Sequence, residues 1–315
     1  MFDRIRLALI LFMIAPMIMF AEDDREFFRA IHMGGNWGRN TVSVLDPPQE
    51  YFDYLNSINV NWVGISVALH IEDSMDSTVE RKYTNVRIPT FTDENLVRVI
   101  QKLKKNDFNV YLTLAFEAFE AESAEHPVKR WQLGDPKIPN EDPNVLPEFW
   151  PWALEHPEHE GFVRKFWETY TEQAVHFAEL CETEGVGLYS LGTETNRLFR
   201  TRTGGYWPNN YLEHMTEMVD SVRQAFSGFL TYDMHYGALI DTGFFSLGEL
   251  WEDLDMDIVG LSAYFPLTDT MPDSVMSTTD LENCWNQIFN DHLIPLKDNN
   301  PDKPILFLEF GYVDA

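Results

Sequence analysis

Glu194 and Glu309 are the two carboxylates whose surroundings ask for an explanation. Leu188, Tyr189, Ser190 and Leu191 read as a β-run, Gly192 breaks it, and the polar residues Thr193, Glu194, Thr195 and Asn196 follow. In a second stretch, "KPILFLEFGY" over 303–312, the apolar run is interrupted by Glu309. A carboxylate set among apolar strand residues costs several kcal/mol unless it is hydrogen-bonded, paired or used, about 2–7 kcal/mol for a polar group and more for a charge. One such glutamate is most simply a structural ion pair. Two at matching strand ends call for a shared purpose.

Positioning them is the task of the surrounding elements. Strand-like runs occur at 30–37, 61–69, 108–116, 187–191, 228–236, 257–265 and 304–310. Helical patterns separate them, at 48–59, 92–107, about 160–184, 210–226 and 279–298. In the second of these, Thr92 is placed as N-cap with Asn95 at N3. Strand then helix, repeated, gives right-handed βαβ units and a parallel sheet. The number of strands and the chain length predict a (β/α)8 TIM barrel rather than a doubly wound sheet. The glycines of "HMGGNWGRN" lack the dinucleotide-binding spacing. In such barrels the working residues sit at the C-terminal ends of strands. Glu194 follows strand four and Glu309 lies near the end of strand seven. The chain stops at Ala315, six residues past Glu309. The expectation is therefore one barrel over 22–315, truncated after strand seven.

Two carboxylates facing each other across a barrel can cleave a glycosidic bond. One protonates the leaving oxygen, and the other attacks the anomeric carbon or activates water; a separation of about 5–5.5 Å gives retention and a wider one inversion. Other chemistries fit less well. His156 and His159 in "HPEH" lack a third ligand, so no metal set is expected. "GLSAY" carries Tyr264 where a serine-hydrolase elbow needs glycine. The two cysteines, Cys181 and Cys284, fall in helical patterns and read as buried and unpaired.

Composition bounds the partners. A formal charge of −28 at pH 7 repels nucleic acid and anionic membranes. Arg4 and Arg6 precede an apolar run from Leu7 to Ala21, which is the pattern of a signal peptide over 1–21. The run is short for a membrane span. A secreted or periplasmic protein, with no membrane contact after cleavage, is the expectation. The oligomeric state is left open.

The stretches "YSLGTETNRL", "DIVGLSAYFPL" and "KPILFLEFGYVDA", together with "VNWVGISVAL" and "FTDENLVRVIQKLKKNDFNVYLTL", resemble glycoside hydrolase family 113, a family of retaining (β/α)8 glycosidases that are chiefly endo-β-1,4-mannanases. The resemblance implies that Glu194 is the acid/base, Glu309 the nucleophile, and Tyr264 the hydrogen-bond donor to that nucleophile. It implies a polysaccharide or oligosaccharide substrate, β-mannan or glucomannan, and no cofactor. Two positions depart from the wider clan. Thr193 stands where many relatives carry asparagine before the acid/base, with Asn196 nearby but not equivalent. Ala115, Phe116 and Glu117 end strand three where many carry a histidine or a basic residue. A glycosidase acting on glucan, xylan or galactan, and a glycan-binding protein without catalysis, remain as alternatives.

Asn36, Trp37, Trp207 and His235 fall near C-terminal strand ends or in the loops beyond them, where a sugar would lie. The long stretch 117–159 holds Trp131, Trp150 and Trp152. Aromatic faces there could serve as platforms for pyranose rings or pack among themselves as a small core. Trp62 and Trp285 read as core.

Overall fold

A computed structural model describes residues 27–33, 45–72, 75–86, 88–117, 130, 133–134, 147–195, 198, 211–240, 250–251, 253–268 and 276–311. Seven strands form one sheet in sequence order: β1 Ala30–His32, β2 Trp62–Leu69, β3 Asn109–Phe116, β4 Leu188–Thr193, β5 Phe229–His235, β6 Val259–Ser262 and β7 Ile305–Glu309. Every neighbouring pair is parallel. The sheet curls into a nearly closed barrel. Tyr111 on β3 donates across the interior to the Leu308 carbonyl on β7 at 3.3 Å, and Trp62, Tyr111, Leu188 and Ile258 form an inner cluster with Phe28, Leu306 and Leu308 packed on it. This is the predicted (β/α)8 architecture.

The helices follow the sequence pattern closely. Among the described residues they are α1 Gln49–Ser57, α2 Asp93–Lys105, α3 His159–Glu184, α4 Tyr211–Ala225, α5 Gly237–Ile240, α6 Thr278–Ile288 and α7 Ile294–Asn299. Thr92 caps α2, its hydroxyl accepting from the Asn95 N–H at 3.3 Å. Asp93 and Glu94 at its start and Lys102, Lys104 and Lys105 at its end oppose the helix dipole. Leu96, Val99, Ile100 and Leu103 face the sheet. α3 ends at Gly185, whose φ of 64° is the left-handed cap that glycine adopts without penalty. The predicted helix over 279–298 is interrupted by a π-turn at Phe289–Leu293, between α6 and α7.

Period-two alternation divides each strand between two cores. On β2, Val63, Ile65, Val67 and Leu69 pack outward on the helices, while Trp62 points in. On β3, Val110, Leu112, Leu114 and Phe116 pack outward, while Tyr111 points in. Tyr111 lies directly over Gly64, and a Cβ there would sit 2.1 Å from its Cζ. Gly64→Ala is therefore expected to overpack the barrel floor and cost about 1–3 kcal/mol. Urea denaturation of the purified variant checks this, as a lower midpoint at unchanged slope.

Some expectations need correcting. β6 covers Val259–Ser262 rather than the whole of 257–265, its ladder with β7 ending at the register shift beside Ser262. Cys181 is buried, but Cys284 is only half-buried because its part of α6 lies near solvent. Trp62 is core, whereas Trp285 is partly buried among Phe265, Phe289, Phe307 and Phe310. Residues 1–21, where a signal peptide is expected, lie outside the described residues. Among the described residues, no helix is long and apolar enough to cross a membrane.

Candidate active site

Two irregularities in the ladder aim the candidate residues. Along β7, Leu306 and Leu308 point into the barrel, while Ile305 and Phe307 pack outward. Strict alternation would send Glu309 outward as well. Between β6 and β7 the register runs Leu261↔Phe307 and then Ser262↔Glu309, a shift of one residue. That extra residue brings Glu309 into the barrel mouth, which is a recurrent use of such bulges. Its carbonyl accepts from the Ala263 N–H at 2.7 Å, locking the arrangement. A second shift lies between β4 and β5, where Ser190 pairs with Thr231 and Thr193 with Asp233. Thr193 thus faces inward at the rim.

Glu194 comes next, with φ of 54°. A non-glycine residue in this left-handed region carries strain of order 1–3 kcal/mol. Its N–H donates to the Asp233 carbonyl at 2.9 Å, which holds the strained turn in place. The Glu194 side chain is buried and ion-paired. Arg130 reaches Oε2 through Nη2 at 2.8 Å and Nε at 3.2 Å. Arg130 also lies 3.7 Å from Glu117. Burial works against the Arg130 charge, but Glu194 and then Glu117 and Glu309 outweigh it and push the guanidinium upward. Arg130 follows β3 in the chain, beyond Ala115, Phe116 and Glu117, which carry no basic side chain.

Glu309 receives a different set of partners. Tyr264 donates to Oε2 at 3.2 Å, and the Thr193 hydroxyl lies 3.5 Å from Oε1. Burial and the charge of Glu194 raise its carboxyl above the ordinary glutamate range, while Arg130, Tyr264 and Thr193 oppose them. Tyr264 is 40% exposed, so its ring forms part of the open mouth. Its phenol is pushed up to about 12 by burial and the Glu309 charge, and it remains a donor at any working pH.

His235 ends β5, half-buried, its Nδ1 accepting from the Gly237 N–H at 3.0 Å. Burial lowers its basicity, with Arg130 acting in the same direction and Glu194 against it. Trp150 and Trp152 are buried, and Trp152 meets the edges of Phe162, Phe166 and Tyr211, so both belong to a packed core rather than a sugar platform. Asn36, Trp37, Trp131, Asn196 and Trp207 lie outside the described residues. His159 is buried with Nδ1 on the Pro151 carbonyl at 2.8 Å, and His156 accepts from the Glu158 N–H at 3.1 Å. Among the described residues, no group of three His, Cys, Asp or Glu is placed to hold a metal ion.

Two participants escaped the sequence reading. Arg130 sits in an irregular stretch with no pattern to single it out. Asp233 lies inside the apolar run "FLTYDMH", and the reasoning applied to Glu309 would have found it.

A parallel barrel with a glutamate at the end of β4, another at the end of β7, and a phenol on the second has the equipment of the (β/α)8 glycoside hydrolases. The model of glycoside hydrolase family 113 matches residues 150–314, more than half the chain, and includes both glutamates. The chain belongs to that family and is a glycoside hydrolase. Among solved structures it is similar to a GH113 β-1,4-mannanase in a complex (15% identity, TM-score 0.59, covering 90% of this chain and 72% of that one). It is similar also to the GH113 β-mannanase AaManA from Alicyclobacillus acidocaldarius in complex with ManMIm (15% identity, TM-score 0.58, 90% and 71%). At this identity the likeness concerns the fold. No curated protein matches the chain.

Proposed function

We propose that this glycoside hydrolase is an exported, retaining endo-β-1,4-mannanase or glucomannanase, with Glu309 as nucleophile and Glu194 as acid/base. The observation that carries the reading is the unequal provisioning of the two carboxyls. Glu309 has hydroxyl donors near both oxygens and, among the described residues, no direct cation, which suits a group that must become esterified and then be released. Glu194 sits at the opposite side of the rim in a strained, fixed turn, which suits a group that must meet the leaving oxygen.

In the first step Glu309 forms a bond to the anomeric carbon, the glycosidic C–O bond breaks, and Glu194 gives its proton to the departing oxygen. In the second, Glu194 takes a proton from water as that water attacks the same carbon and frees Glu309. The β-configuration is kept. The mannan preference draws support from the similar solved structures, which are a β-1,4-mannanase and a β-mannanase of the same family. Of the expected sugar contacts, Tyr264 and His235 stand at strand ends near the two glutamates; Asn36, Trp37, Trp131, Asn196 and Trp207 remain assigned on sequence position alone.

The test is reducing-end release from mannan, glucomannan, cellulose, xylan and galactan. Release from mannan or glucomannan, lost in Glu309→Gln, supports the reading. Release from another glycan replaces the substrate and keeps the mechanism. A folded protein that releases nothing from any of them points to glycan binding alone.

A further inference from the structure

Beneath the two glutamates lies a third carboxyl, Asp233 on β5, which is 2% exposed. Its Oδ2 lies 2.7 Å from the Thr193 hydroxyl and 2.9 Å from the Ser262 hydroxyl. Its Oδ1 is buried with no hydrogen-bond partner among the described residues. The nearby cation, Arg130, is committed to Glu194 and Glu117. Among the described residues, the ionisable groups acting on Asp233 are Glu309 from β7, Glu194 after β4, Tyr264 after β6, Tyr111 from β3, and its strand neighbour Tyr232. None of these is a positive charge.

Proton counting makes this cluster informative. Thr193 has one hydroxyl proton and two acidic neighbours, Asp233 at 2.7 Å and Glu309 at 3.5 Å. It cannot donate to both. An ionised Asp233 would take that proton, place a second anion under Glu309, and leave a charged oxygen, Oδ1, buried without a partner. A buried charge of that kind is strongly unfavourable. A neutral Asp233 removes all three conflicts. Its Oδ2–H donates to Thr193, and the Thr193 proton then turns to Glu309 Oε1.

We propose that Asp233 is a positioning residue that stays protonated and works through Thr193, forming a relay Asp233 → Thr193 → Glu309 that aims the nucleophile and keeps its carboxylate the ionised member of the group. Ser262 donates into the same Asp233 oxygen and holds the carboxyl in register. The relay gives Thr193 a purpose at the position where the wider clan often carries asparagine. Burial and the charge of Glu309 both push the Asp233 carboxyl well up, in the direction the relay requires. The catalytic part of this proposal rests on the assignment of Glu309 as nucleophile; the protonation part does not.

Two measurements test it. The first needs no substrate: thermal unfolding of Asp233→Asn and the parent protein from pH 4 to pH 8. A carboxyl neutral when folded and ionised when unfolded makes the unfolded state bind fewer protons, so the parent loses stability as pH rises above the ordinary aspartate range. The variant lacks that loss. The difference in Tm should move in favour of Asp233→Asn with rising pH, and a constant offset cancels from this trend. A flat difference, or one that moves against the variant, overturns the proposal.

The second is the pH dependence of kcat on mannan. Thr193→Val should lose roughly 10²-fold, the scale for removing one aimed donor, with the acid limb moved to higher pH. Thr193→Ser should recover most of both. Asp233→Asn, which retains a donor towards Thr193, should lose no more than about a tenth as much as Thr193→Val. A loss in Asp233→Asn as large as in Thr193→Val, or an acid limb that Thr193→Val leaves in place, overturns the relay. If the parent protein hydrolyses no glycan, the functional reading has failed, and the unfolding comparison still decides the protonation of Asp233.

Discussion

Glu309→Gly is expected to lose glycan hydrolysis by roughly 10⁴-fold or more, the scale on which removing a covalent nucleophile acts, and to recover turnover in azide with inverted stereochemistry. The argument is geometric. In the proposed mechanism, the nucleophile Glu309 approaches a β-linked sugar from the α-face. When its side chain is deleted, the space it occupied opens to a small anion, which attacks from that same face. With 2,4-dinitrophenyl β-mannoside the product is then an α-glycosyl azide, identifiable by NMR. The intact protein has its own limit. The Glu309 carboxyl lies above the ordinary glutamate range, through burial and the Glu194 charge. Because the reacting form is ionised, the rate should fall as pH drops through that raised value, so the acid limb should stand above the ordinary glutamate range. Failure of azide to rescue a folded Glu309→Gly, together with retained activity, would remove the residue from the mechanism.

The second large effect belongs to Glu194. Glu194→Ala should reduce kcat on mannan by about 10²–10⁴-fold, the range for general acid–base assistance. The loss should be much smaller for the first step on the dinitrophenyl glycoside, whose leaving group needs no proton. Glycosyl-enzyme should then accumulate, because no base activates water. Azide intercepts it from the β-face and yields a β-glycosyl azide. The two variants thus give opposite anomers, and exchanged products would exchange the two assignments. Glu194 also occupies a left-handed turn and pairs with Arg130. Substituting it removes the closest carboxylate on Arg130, so a melting curve must accompany the kinetics.

Much of this molecule could be read before any coordinates. The α2 boundaries followed from Thr92 and from the spacing of Leu96, Val99, Ile100 and Leu103. The strands announced themselves as apolar runs between turn residues, and their alternation with helices implied the parallel barrel. Glu194 and Glu309 stood out because charge is expensive in such runs. Tyr264 entered through the family resemblance, and its hydroxyl does lie on Glu309. Trp150 and Trp152 could have been platforms or core, and their burial decides for core. Arg130 was illegible, because an irregular segment has no period from which to infer what a side chain meets.

By itself, then, the sequence determined the order of elements, the fold class and which strand ends carry carboxylates, since all of these follow from local periodicity and from the cost of burying charge. The direction in which those carboxylates point was decided only by the tertiary structure. Period two along β7 would have placed Glu309 with Ile305 and Phe307 against the helices; the one-residue shift against β6 turns it inward. A similar irregularity between β4 and β5 brings Thr193 over Asp233. A bulge is a property of two strands in register, held by hydrogen bonds between chain segments far apart in sequence, and neither strand alone contains it.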